Sequence, residues 1–275
     1  MDRFRLKNVI ILILLLLNTA LLASLSLRRS AESNAFRRTE DQLVQLFHAD
    51  GISLQPGAIS NTLPPDGVSL SRDTNLEARA AAFLLGQTPD AFDQGGGIYH
   101  YRSENGDALF RSSGGFDASG TLSHDPEDFC RRFCRTFSYD IPDFQLDSSN
   151  SGLVTAVFQY GRIPVLNGTV TFTVENGVLT AVSGVLLPES GTLLASEETP
   201  LSAAGALIAF QKMRRENTVV ASAITDTRLC YELQISGSAM SLTPVWRIVT
   251  DTEDYCVNCF TGAVTAAGGV PESAL

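Results

Sequence analysis

The sequence predicts an α+β protein: an N-terminal transmembrane helix, then tandem units that each pair a helix with an antiparallel sheet. Three observations predict this. Val9 to Leu27 is an uncharged apolar run. Downstream of it, helix-start signals alternate with β-prone runs, two of which are broken by Asn-Gly pairs. The second half also repeats itself. A Pro-started helix at Pro126 is followed by Gly161-Arg-Ile-Pro-Val165, a strand, a turn and a strand. A Pro-started helix at Pro200 is followed by Leu242-Thr-Pro-Val-Trp246, a strand, a turn and Tyr255-Cys-Val-Asn-Cys-Phe260. Helix-then-sheet units of this kind bury a helix stripe against one sheet face.

The run from Val9 to Leu27 has only Asn18, Thr19, Ser24 and Ser26 as polar members. At ~1.5 Å per residue it reaches about 28 Å, close to the hydrocarbon thickness of a bilayer. A cleaved signal peptide is the rival reading, because the basic n-region is present and Ser24-Leu25-Ser26 has the small-x-small pattern. The apolar stretch exceeds a usual h-region, which favours an uncleaved anchor. Arg3, Arg5 and Lys7 flank one side and Arg28, Arg29, Arg37 and Arg38 the other, so charge alone does not orient the helix. The size of the C-terminal part does: residues 1–8 form a cytoplasmic tail, 9–27 span, and the rest is expected outside the cytoplasm.

Residues 28–50 are expected to hold a juxtamembrane helix, with Phe36, Leu43, Leu46 and Phe47 at near-helical spacing. Residues 51–122 are expected to be the N-terminal part of the extracytoplasmic domain. Within them, Gly51 to Arg72, rich in Gly, Pro, Ser and Asn, predicts an extended or looped segment. Thr74-Asn-Leu-Glu77 reads as a capping box for a helix that Gly86 closes. Tyr99 to Phe110 predicts a hairpin about Asn105-Gly106.

The first repeated unit is expected over 123–190 and the second over 191–268, with 269–275 as a tail. Asp125-Pro126-Glu127-Asp128 places Pro and acids in a first helical turn. Phe129, Cys130, Phe133, Cys134 and Phe137 follow as an apolar stripe. Val170 to Val182 predicts a hairpin at Asn176-Gly177. Thr199-Pro200 precedes the apolar positions Leu201, Ala204, Leu207 and Ile208. Leu229 to Ile235, Pro244 to Thr250 and Tyr255 to Phe260 predict a closing meander.

Charge and motif content narrow the function. The 275 residues carry 30 acidic and 20 basic side chains, a net charge of −10, and the acidic excess grows once the basic N-terminal tail is set aside. Such a surface repels phosphate backbones, so nucleic acid is not an expected partner. The five cysteines are an odd number, which argues against a fully paired disulfide framework. Cys256-Val-Asn-Cys259 has CxxC spacing but sits in a predicted strand, where i and i+3 point to opposite faces. No second CxxC or His pair completes four zinc ligands. Cys130 and Cys134, one turn apart after His124, belong to the Phe stripe and read as core; a disulfide from either to Cys230, Cys256 or Cys259 stays open. HExxH, GxSxG and SxxK are missing, and Gly95-Gly-Gly97 lacks a following Lys-Ser/Thr. Catalysis, cofactors and metals are therefore not expected.

Two stretches resemble a known family. Met1-Asp-Arg-Phe-Arg-Leu-Lys-Asn8 with the apolar run behind it is similar to the start of YycI-type proteins. So is the ending, Pro244-Val-Trp-Arg-Ile-Val249 followed by Tyr255-Cys-Val-Asn-Cys-Phe-Thr-Gly262. The unit Gly161 to Gly184 resembles the PepSY-like (cystatin-like) repeats of the YycI/YycH group. The likeness covers the first thirty residues and most of the chain after Leu122; Gly51 to Thr121 is only compatible with it, and the cysteines depart from the family pattern.

The resemblance implies a single-pass, N-terminus-in protein that binds a WalK-type sensor histidine kinase beside a YycH-like protein and adjusts a two-component system for cell-wall metabolism. It implies no catalytic residues. Thr19 with Ala23, and Ala20 with Ser24, share one face of the membrane helix, where small and polar side chains favour helix contact in lipid; these four are the candidate partner-contact residues. An alternative is an envelope module that binds a wall ligand or inhibits a peptidase, as the PepSY-like units alone allow. Exposed sheet edges could serve either role by strand addition.

Overall fold

Acidic side chains open two helices of this chain. A computed structural model describes residues 18, 36–55, 57–86, 89–140, 142–217 and 221–267. Among these the helices are α1 (residues 36–49), α2 (Thr74–Leu85), α3 (Pro126–Thr136) and α4 (Ala203–Asn217). Asp73 caps α2 by accepting from the N–H groups of Asn75 at 2.9 Å and Leu76 at 3.1 Å. The cap is thus Asp73, one residue before the expected Thr74. Glu77 does not reach back to the cap, because Arg72 takes it in a bidentate ion pair at 2.6 and 2.9 Å. Gly86, at φ 73°, ends α2 in the left-handed region as expected.

Asp125 caps α3 from one residue before Pro126. α4 begins three residues later than Pro200 suggested. Ser202 opens it, its Oγ accepting from Gly205 N at 3.3 Å and its carbonyl from Ala206 N at 2.9 Å. Leu201 is drawn away from the helix by the sheet: its N–H donates to Cys259 O at 2.7 Å, and its carbonyl accepts from Trp246 Nε1 at 2.8 Å.

The strands are β1 (Ser53–Leu54), β2 (Gly67–Leu70), β3 (Asp90–Asp93), β4 (Tyr99–Ser103), β5 (Gly106–Phe110), β6 (Gly115–Ser123) and β7 (Gly152–Tyr160). They continue with β8 (Ile163–Glu175), β9 (Val178–Val185), β10 (Thr192–Leu194), β11 (Ala223–Ser236), β12 (Ala239–Thr250), β13 (Tyr255–Asn258) and β14 (Val264–Ala266). One antiparallel sheet runs β3-β4-β5-β6-β9-β8-β7. Another runs β10-β2-β12-β11, with β1 parallel to β11 and β13-β14 beside the far part of β12.

The two sheets join where β8 and β11 pair in parallel at Val165 and Tyr231. Asn167 reinforces the joint as a side-chain imitation of a strand: its amide donates to Leu233 O and accepts from Leu233 N, both at 2.7 Å. The chain therefore passes twice from a helix into a three-stranded antiparallel meander, α3 into β7-β8-β9 and α4 into β11-β12-β13.

The segment 51–72, expected to be extended or looped, has an extended part in β2, which lies between β10 and β12 with Val68 and Leu70 buried. Its Val-Ser-Leu run is too short to stand out among the turn formers around it. The first hairpin turns at Glu104-Asn105, because Ser103 pairs with Gly106. Gly106 is required for another reason: a Cβ there would lie 2.1 Å from Ser119 O, and one on Gly120 would lie 2.1 Å from Asn105 O. At Asn176-Gly177 both residues have positive φ, 50° and 76°, the type I′ turn that the sequence predicts.

α2 and α3 cover the first sheet, where Phe133 is ringed by Phe116, Phe137, Tyr139 and Phe172 at centroid distances of 4.7 to 6.3 Å. α1 and α4 cover the second sheet, burying Leu43, Phe47, Leu207 and Phe210 against Trp246, Ile248 and Tyr255. Tyr231, Leu233, Met240 and Leu242 of the second sheet belong to the first core, so the two cores share a wall. The opposite face of the second sheet keeps a small cluster of Leu166, Cys230, Val245 and Cys256. Beside it, buried Arg247 is held by Asp254, its Nε donating at 2.7 Å.

Candidate interaction surfaces

The expected membrane helix, and with it Thr19, Ala20, Ala23 and Ser24, lies outside the described residues. Asn18, the one described position of that run, is helical and exposed. Among the described residues no helix is long and apolar enough to cross a membrane.

The cysteines sort into core positions. Cys130 and Cys134 face inward from α3; Cys230, Cys256 and Cys259 are buried on or just after β11 and β13; all five are free. Cys230 lies on β11 and Cys256 on β13, with β12 between them. Two strand spacings separate such residues by about 9.5 Å, beyond the Cα distance a disulfide spans. Cys130 and Cys134 sit in the first core, away from the other three. Burial pushes the thiols of Cys134, Cys230, Cys256 and Cys259 up to about 12, and that of Cys130 upward as well. They are protonated at neutral pH and poor nucleophiles. No group of His, Cys, Asp and Glu among the described residues is arranged to hold a metal ion.

Two concave surfaces stand out among the described residues. α1 and α4 pack side by side, and each leaves one large apolar residue outside. Leu43 and Phe47 of α1 are buried while Leu46 is 40% exposed; Leu207 and Phe210 of α4 are buried while Ile208 is 54% exposed. Leu46 and Ile208 line a groove of about 290 Å³ together with Gln211, Lys212, Arg215 and Glu216.

The two helices that line the groove are joined at one end. Asp50, just past α1, accepts from buried Gln211 and from Nε and Nη2 of Arg215, while Arg214 Nη2 donates to the Asp50 carbonyl at 3.1 Å. These donors, Arg215 foremost, hold the Asp50 carboxyl below its ordinary range. The C-terminal ends of the two helices are thereby tied together. Both apolar residues are visible in the sequence as members of helical stripes. Leu207 and Ile208 are adjacent, however, and ~100° apart on a helix, so only one can face the core.

A second concavity, about 530 Å³, opens where α3 ends against the β7–β8 turn. Arg135, Ser138, Asp140, Arg162 and Glu189 line it, with Ser138 Oγ donating to Glu189 Oε1 at 2.6 Å. Ser138 (φ 58°) and Arg162 (φ 74°) both adopt positive φ without being glycine. The sequence carries no signal for this cleft beyond Gly161, because its charges come from separate elements.

Comparison with known proteins gives distant likeness only. No family model matches the sequence, and no curated protein matches it. Among solved structures, an uncharacterized protein from Eubacterium rectale is similar at 9% identity and a TM-score of 0.46, over 78% of this chain and 89% of that one. YycH from Bacillus subtilis is a distant structural neighbour at 15% identity and a TM-score of 0.34, over 78% of this chain and 56% of its own. The chain thus corresponds to little more than half the length of YycH.

Proposed function

We propose that this chain is a membrane-anchored, extracytoplasmic regulator that acts by binding a sensor histidine kinase of a two-component system, in the manner of YycI-type proteins, rather than by catalysis. The apolar run 9–27 is its anchor, and the partner-facing side of that helix carries Thr19, Ala20, Ala23 and Ser24. The observation that carries this reading is the placement of α1. The helix that follows the apolar run is not a free linker: Leu43 and Phe47 are built into the core of the second sheet. α1 thus belongs to the folded domain, and the same helix forms one wall of an open groove.

Co-purification tests it. The full chain with its native anchor, extracted in mild detergent, retains a sensor kinase and a YycH-like protein. A chain that retains no kinase under those conditions sinks the proposal.

A further inference from the structure

We propose that the free edge of β10 is a docking site for an extended, lysine- or arginine-bearing segment of a partner protein, which joins the sheet as a further strand. The site stands whether or not that partner is a kinase. β10 ends the second sheet: Thr192, Leu193 and Leu194 pair with Ser69, Val68 and Gly67 of β2, and no strand among the described residues lies on the other side. Residues 189–199 are exposed without a break, although three of them are held in this ladder. Directly opposed residues share a face of a sheet. Leu193 therefore continues the row of buried Val68 and Leu242, while Leu194 lies on the other face beside Gly67. Leu193 is 64% exposed and Leu194 47%. Proteins usually protect an open edge with a charge, a proline or a bulge. The Thr-Leu-Leu of β10 has none of these.

Charge names the occupant. Asp66 precedes β2, Glu197 and Glu198 follow β10, and Glu232 lies on β11 opposite Thr243. None of the four has an ion-pair partner among the described residues. β10, β2, residues 239–243 of β12 and residues 231–236 of β11 carry no Lys, Arg or His. Arg135 and Arg162 belong to the other end, where they share a cleft with Glu189, and Arg72 beyond Leu70 is taken by Glu77. The Leu194 end is thus acidic alone. An antiparallel occupant, continuing the sense of the β10–β2–β12 ladder, brings its leading residues beside Glu197 and Glu198. A second copy of this chain is the poorer occupant. Antiparallel pairing of two β10 strands about Leu193 would oppose Glu197 of one to Glu189 of the other, and like charges directly opposite destabilise a ladder.

The test uses the full chain in detergent micelles and a capped peptide of two lysines followed by alternating valine and threonine. Its length of about seven residues spans roughly 23 Å, matching an extended segment from Thr192 to Glu198. A twin led by two glutamates is the charge control. Two further versions carry N-methyl groups on alternate backbone nitrogens, one on odd and one on even residues, because a strand bonds each neighbour through every second residue. The lysine peptide is expected to bind about tenfold more tightly than its twin, and only one N-methylated version to lose that binding. Leu193→Lys is expected to abolish binding, and Glu197→Lys with Glu198→Lys to reverse the preference between the twins. All three positions are exposed, and unchanged Trp246 emission verifies the fold of each variant.

No binding of the lysine peptide, or equal binding of the twins, overturns the proposal. So does binding that survives both patterns of N-methylation, or binding that Leu193→Lys leaves unchanged. A chain that ignores the peptides but forms a dimer, which Leu193→Lys makes monomeric, gives the edge to a second copy and overturns the proposal as well.

Discussion

Asp251 shows how one carboxylate can organise a junction. It accepts from the N–H groups of Ser222 at 2.9 Å and Ala223 at 3.0 Å, and from the Ser222 hydroxyl. The hydroxyl bond is the largest of the causes that bring its pKa from 3.8 down to about 2. A carboxyl with a depressed folded-state pKa stabilises the fold fully above its unfolded value, and the contribution fades as pH falls through the folded one. Asp251 is therefore expected to add a pH-dependent loss of stability between about pH 4 and pH 2. Urea midpoints measured across that range should converge for wild type and Asp251→Asn toward pH 2 and separate above pH 4. A difference that stays constant with pH rules the arrangement out. At this scale the sequence says little. Asp251, Glu253 and Asp254 look alike as acids in a turn, yet one anchors β11, one accepts the hydroxyl of Tyr255, and one neutralises buried Arg247.

Elements are the legible level, and their edges explain where legibility stops. Helix stripes, proline starts and the Asn176-Gly177 turn are local patterns, so α1, α3 and the β8–β9 hairpin follow from neighbours in sequence. The start of α4 and the identity of β2 depend on partners far along the chain, Cys259 and Trp246 for Leu201, β10 and β12 for β2. Glycines make the same distinction measurable. Gly161 sits at φ 57°, and a Cβ added there would meet nothing within 4 Å, so Gly161→Ala costs only the backbone term, about 1–2 kcal/mol. At Gly106 an added Cβ would meet Ser119 O at 2.1 Å, so Gly106→Ala must also push β5 from β6 and is expected to cost at least twice as much. Chemical denaturation of the two variants checks the ranking; equal losses would show that β5 and β6 leave room for a side chain between them. The Asn-Gly signal at Asn105-Gly106 does mark a hairpin, but its glycine serves the neighbouring strand and not the turn.

For the whole molecule the question is whether two helix-on-sheet units unfold as one body. Hydrogen bonding between the sheets is thin, one parallel bridge at Val165 and Tyr231 plus the Asn167 pair to Leu233. Packing across the joint is not thin: Tyr231, Leu233, Met240 and Leu242 of the second sheet complete the first core, and Tyr160 meets Tyr231 edge-on at 5.8 Å. Burial is the larger contribution, since truncating a buried leucine to alanine typically costs ~2–5 kcal/mol, against about 1 kcal/mol for a single hydrogen bond. The two units should therefore melt together. The chain carries its own reporters for both halves, because its single Trp, Trp246, lies in the second core and Cys130 and Cys134 lie in the first. Trp246 emission and mapped alkylation of Cys130 and Cys134 are expected to follow one transition in urea. Leu242→Ala, fully buried at the shared wall, is expected to lower both midpoints together by an amount equivalent to ~2–5 kcal/mol. Were Trp246 to be released while Cys130 and Cys134 stayed protected, the joint would be a hinge between independent units. A motion of α1 would then reach the second sheet and stop there.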